Sequence, residues 1–222
     1  QSYKVINNEV EKLIPIYNNY IKQFPNDPEY LLYLGSSYGM RARTALASKE
    51  WLRAFFSGYS GLRYILKAKD LDSNLIDVFM PIGLMEYFSC LSIPPIQWSA
   101  GVLGISSECS DGLMHLEYAA NNSHYSWVEA SNVLSYAYLH VERDYEKADI
   151  YIKRLVYAFP NNPYFAFLYA ELLSKTFKFD QLENIEPLLN HFIANGSIID
   201  KRECKLKYNY IFSIKDLHDK KY

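Results

Sequence analysis

Neither sign of charge predominates in this chain. Lys and Arg number 23 and Asp and Glu 25, a formal net charge of −2 over 222 residues. That balance gives no electrostatic pull toward nucleic acid or an anionic membrane. Basic residues gather between Lys201 and Lys221, but Glu203, Asp216 and Asp219 interrupt them, as on a solvated helix face. Cysteine is scarce: Cys90, Cys109 and Cys204 are far apart and form no CxxC, which excludes a zinc ribbon or dithiol redox motif. An odd count allows at most one internal disulfide, and buried reduced thiols are the expectation. A long uninterrupted hydrophobic run is also missing. The most apolar stretch, 79–105, contains Glu86, two consecutive prolines and several glycines, so it reads as a helix followed by a loop and not as a membrane span.

Catalytic signatures are lacking too. There is no GxSxG, no P-loop and no GxGxxG after a strand. None of His115, His124, His140, His191 and His218 lies at HExxH spacing. No metal ligand, cofactor site or catalytic residue is assigned, and a non-enzyme is expected. Catalysis would need a site assembled from distant residues.

What is present is helical. Half of the residues are hydrophobic and 21 are tyrosine, a residue that offers contact area and a hydrogen bond at low entropic cost. The length suits one domain over 1–222. The first residue is Gln1, which reads as a processed product with any signal peptide removed. Asp27-Pro28 and Asn162-Pro163 place a capping residue before a proline at the first helical position. Ser126 and Glu129 have capping-box spacing. Apolar periodicity predicts helices near 6–24, 28–46, 49–69, 75–92, 107–121, 127–141, 144–158, 163–177, 180–194 and 200–218.

A phase recurs among these helices. Leu13, Tyr17, Tyr20 and Pro25 share their offsets with Gly61, Ile65, Ala68 and Ser73. Gly112, Leu116, Ala119 and His124, then Ala148, Ile152, Leu155 and Pro160, repeat them. The preceding helices carry Leu31, Leu34, Gly35 and Tyr38, then Phe79, Ile82 and Gly83, and finally Ala170 among Ala166, Tyr169 and Leu173. This pattern resembles the tetratricopeptide repeat, a 34-residue helical hairpin in which small residues let paired helices approach closely. The resemblance implies an all-α, right-handed α-solenoid with a C-terminal capping helix at 200–218. The turn anchors Pro25, Ser73, His124 and Pro160 stand 48, 51 and 36 residues apart, so the first two intervals carry insertions of 14 and 17. These fall near 41–55, as lengthened helices, and at 92–104, as a loop. The chain is also similar to uncharacterised bacterial repeat proteins of the cell envelope, which implies a location more than an activity.

The family's concave face, carried over by offset, gives Tyr33 and Met40, then Met80, Leu84, Tyr87 and Phe88, then Asn132 and Tyr138, then Glu171 with Tyr164 and Lys175 near it. This mostly aromatic and aliphatic lining suits an extended peptide or apolar ligand. Trp98, in the 92–104 loop, is expected to pack over its own hairpin, with a contact role as the competitor. Asp77 is expected to cap its own helix. Glu86 is weighed between facing a ligand and bonding a neighbouring tyrosine. On the last helix, Leu206, Tyr210, Ile214 and Leu217 form the apolar stripe. The expected function is protein or peptide binding, or scaffolding. The alternative is a small-molecule-binding envelope protein, serving a transporter, with an apolar pocket closed by the loop.

Overall fold

The computed structural model describes residues 2–220, apart from the side chains of 2, 3, 99 and 198–200. The described residues are all-helical, and their helices pack mainly on neighbours in sequence. They are α1 (Ser2–Gln23), α2 (Pro28–Ala47), α3 (Trp51–Leu71), α4 (Phe79–Cys90), α5 (Pro94–Val102), α6 (Cys109–Asn122), α7 (Trp127–Tyr136), α8 (Tyr145–Ala158), α9 (Pro163–Lys175), α10 (Phe179–Asn195) and α11 (Ile198–Asp219). A 3₁₀ turn at Ile76–Val78 precedes α4, and a π-helical segment, Ala137–Val141, continues α7. No described helix is long and apolar enough to cross a membrane. The chain divides into two compact units, Gln1–Ala130 and Ser131–Tyr222.

Local chemistry sets the helix starts. The Asp27 carboxylate accepts from the N–H groups of Glu29 and Tyr30, and Asn162 accepts from Tyr164. Each thereby satisfies first-turn amides ahead of a proline that has none to offer. Two expectations fail here. The stretch 92–104 is not a loop, because α5 occupies most of it. Ile93 is extended and Pro94 begins the helix, so the double proline starts an element where it was read as breaking one. The Ser126–Glu129 capping box does not form either. Ser126 Oγ has no hydrogen-bond partner, and Glu129 pairs with Arg43 at 2.6 Å. Around 41–55, α2 and α3 run 20 and 21 residues on either side of a turn with Lys49 at φ 62°.

In the first unit, two helix pairs cross at glycines. Gly35 on α2 meets Gly61 on α3, where a Cβ on Gly61 would stand 2.7 Å from the Gly35 carbonyl oxygen. On the α4–α6 pair, a Cβ on Gly112 would stand 2.5 Å from Tyr87 N and 2.8 Å from its Cα. Backbone cannot step aside as a flexible side chain can. Gly112→Ala is therefore expected to lower stability by about 1–3 kcal/mol, whereas Gly101→Ala on α5, with nothing within 4 Å of the added carbon, should leave the denaturant midpoint unmoved. Around these crossings Leu31, Leu32, Ile65, Ala68, Val78 and Ile82 form one core cluster, and Val10 and Ile14 of α1 close on Leu34.

In the second unit, α9 is buried against both α10 and α11. Ala166, Phe167, Ala170 and Leu173 pack with Leu182, Leu189, Cys204 and Ile211. Here α11 uses a different face from the one expected. Leu206, Tyr210 and Leu217 are exposed, and the inward row runs through Cys204, Tyr208, Ile211 and Phe212. On that row Tyr208 Oη donates to Glu186, and Lys215 pairs with Glu183. Burial and that bond push the Tyr208 phenol up to about 12.

Candidate functional site

In the first unit, the α4–α6 crossing and the turn before α4 hold its buried ionisable groups. Glu86 is 5% exposed, one position before Tyr87 on α4. Close approach at Gly83 and Gly112 brings α6 near enough for Glu86 Oε2 to lie 2.6 Å from His115 Nδ1. Neither a tyrosine nor an open ligand face receives Glu86. Its partner is a histidine 29 residues away, half-buried with its ring against Phe79. A histidine and a carboxylate in contact can in principle move a proton, but this pair sits inside a helix crossing. The Asp77 carboxylate serves a different helix from its own. It accepts from the N–H groups of His124, Tyr125 and Ser126 at 3.3, 3.0 and 2.7 Å, so it braces the turn that leads into α7.

The second unit carries a more open polar cluster. A π-helical turn alters which side chains share a face, and such turns recur at functional positions. His140 lies in that turn, its ring 4.5 Å from that of Tyr136. Across from it on α9, Glu171 and Lys175 are an i, i+4 pair at 3.1 Å. Lys175 Nζ is 3.4 Å from His140 Nδ1, and Glu171 Oε1 is 3.7 Å from the same nitrogen. Burial holds the His140 ring below its ordinary pKa; Glu171 opposes that shift, and Lys175 and Lys207 add to it. The shift favours the neutral ring. An ammonium can only donate, so Nδ1 accepts from Lys175 and the ring proton belongs on Nε2. Lys207 from α11 lies over the Tyr164 ring at 4.8 Å. One α-helical turn before Tyr136 stands Asn132, whose side-chain oxygen is buried without a hydrogen-bond partner. Among the described residues, no group of three or more His, Cys, Asp or Glu side chains could hold a metal ion.

The candidate residues scatter over both units. Tyr33 is half-buried and donates to Glu29 at 3.3 Å, with its phenol pushed up chiefly by burial. Met40 packs against the Val10–Ile14–Leu34 cluster. Met80 and Leu84 are half-buried and Phe88 is exposed. Tyr87 and Tyr138 are each 3% exposed, so both rings belong to the interior. Trp98, expected to pack over its hairpin, is 74% exposed on α5. Asn132 and Glu171, with Tyr164 and Lys175, fall in the second unit's polar cluster. Sequence reasoning missed Tyr136 and His140; the signal was their i, i+4 spacing, which the π-turn preserves as a ring contact.

One covalent feature also departs from expectation. Cys90, the last residue of α4, and Cys109, the first of α6, form a disulfide with Cα atoms 5.3 Å apart. It closes the segment carrying α5. Cys204 is buried in the second unit. No family model, no curated protein and no solved structure matches the chain.

Proposed function

We propose that the chain is a non-catalytic binding module of tetratricopeptide-like helical hairpins, engaging an extended peptide through the second unit. The observation that carries this reading is the buried Asn132 side-chain oxygen without a partner, on the same helical row as exposed Tyr136. A buried acceptor left open costs about 1–3 kcal/mol unless something donates to it. A backbone N–H of a bound peptide is a fitting donor once the enclosed side chain turns outward to meet it. His140, Glu171, Lys175 and Tyr164 then supply neutral, acidic, basic and aromatic contacts nearby, a mixture suited to side-chain specificity. The Glu86–His115 pair is assigned to structure because its carboxylate is enclosed by α4 and α6. The small-molecule reading needs Trp98 to close over a pocket, and its exposure weighs against that. A disulfide supports an oxidising compartment, in keeping with an exported protein.

The test is selection from a random-peptide phage library on the purified chain, followed by calorimetry of enriched peptides. Asn132→Leu and Lys175→Ala should each weaken those peptides about tenfold or more, equivalent to about 1.4 kcal/mol, with helicity unchanged. Failure to enrich any sequence, or wild-type affinity in both variants, refutes the reading.

A further inference from the structure

The surface of the 87–107 segment is inside out. No charged residue occurs in it. Each of its described residues that is exposed is apolar, glycine or proline. On and beside α5, Ile93, Trp98 and Val102 are 64, 74 and 68% exposed. The described polar side chains bond within the fold. Ser89 pairs with Ser107 at 2.9 Å. Gln97 Nε2 donates to the Cys90 and Ser92 carbonyls at 3.1 and 3.0 Å. Ser92 Oγ donates to the Phe88 carbonyl at 2.6 Å, and Ser106 Oγ to Asp111 at 2.7 Å.

We infer that α5 and its flanking residues form a lipid-docking knuckle that enters the interfacial layer of a bilayer. Water does not call for this arrangement, and a protein partner does not match it. A protein interface keeps a polar rim and about one hydrogen bond per 100–200 Å². Here the described serine and glutamine side chains are already bonded within the fold, an economy that suits hydrocarbon. The exposed side chains are aliphatic with one tryptophan, the residue that favours the headgroup boundary. With nine residues α5 cannot span a membrane, but it can lie in the interface at about 5–10 Å depth. The disulfide between α4 and α6 fixes both ends of the segment, so the apolar face is presented without a folding transition. On α3, Leu62 and Leu66 hold Ala100, Leu103 and Ile105. Exposed Phe55 and Tyr59 continue the same helical row, extending the apolar surface beyond α5.

Flotation of the full chain with phosphatidylcholine vesicles tests this, alongside vesicles containing phosphatidylglycerol. The surface is uncharged, so binding should be similar for both and insensitive to salt. Ile96→Asp should lower the partition coefficient at least tenfold, and Phe177→Asp, an exposed aromatic of the second unit, should not change it. A second arm does not depend on the Asp variant folding. In Trp51→Phe/Trp127→Phe, Trp98 is the remaining tryptophan, and acyl-brominated lipid should quench its fluorescence. Absence of flotation overturns the inference. So does a dimer that forms without lipid and is lost in Ile96→Asp, which would assign the face to a second copy. Binding confined to anionic vesicles and removed by salt also overturns it, because charge elsewhere would then be responsible.

Discussion

His115→Leu should destabilise the first unit by about 3–5 kcal/mol, the cost of leaving a buried carboxylate without its partner. Glu86 is 5% exposed and its oxygen lies 2.6 Å from His115 Nδ1. Leucine fills much of the ring's volume but donates nothing, so the carboxylate must protonate or draw in water between α4 and α6. That crossing has little room, because Gly83 and Gly112 bring the backbones into contact. The double variant Glu86→Leu/His115→Leu separates the pair from the space it fills. Removing both polar groups takes away the desolvation cost, and the double variant should recover most of the loss. Denaturant midpoints of the four members of this cycle decide the matter. If the losses of the two single variants add up to the loss of the double variant, the pair has no energetic coupling and its role in holding the α4–α6 crossing is wrong.

The helices were largely readable in the sequence, because periodicity and caps act within a few residues. Asp27-Pro28 and Asn162-Pro163 start helices where expected, and the recurring small residues do mark close crossings. What escaped depended on contacts across the chain. Asp77 holds the turn before a helix that begins 50 positions later, which no local pattern announces. Glu86 meets His115 because two glycines set a crossing, so the pair follows from packing and not from spacing. Tyr138 was placed on a ligand face by repeat offset, yet its ring is interior and Tyr136 is exposed. The π-turn at Ala137–Val141 changes the angular register that a uniform repeat assumes. On α11 two apolar rows competed. The row through Cys204, Tyr208 and Ile211 went inward, and hydrophobicity alone could not distinguish the two.

The α5 segment shows the same limit and carries the second large effect. Proline pairs and glycines suggested a loop, and only the fold shows that Cys90 and Cys109 close it into a braced helix. Cross-linking residues 19 apart removes loop entropy from the unfolded chain worth about 3 kcal/mol. Cys90→Ser/Cys109→Ser is expected to lose about that much stability, and dithiothreitol should shift the wild-type midpoint to match. The same reductant should leave the double variant unmoved. Non-reduced, unfolded wild-type protein should show one titratable thiol, from Cys204, and three after reduction. Amide exchange adds a local readout. Without the bridge, α5 is tied down mainly by Ala100, Leu103 and Ile105 against Leu62 and Leu66, so its amides should exchange faster than those of α2 and α3. An unchanged wild-type midpoint under reduction, or equal protection of α5 in both forms, would show that packing alone holds the segment. The bridge therefore joins stability to presentation: the bond that closes the α4–α6 hairpin also keeps an exposed apolar face from collapsing onto the nearest core.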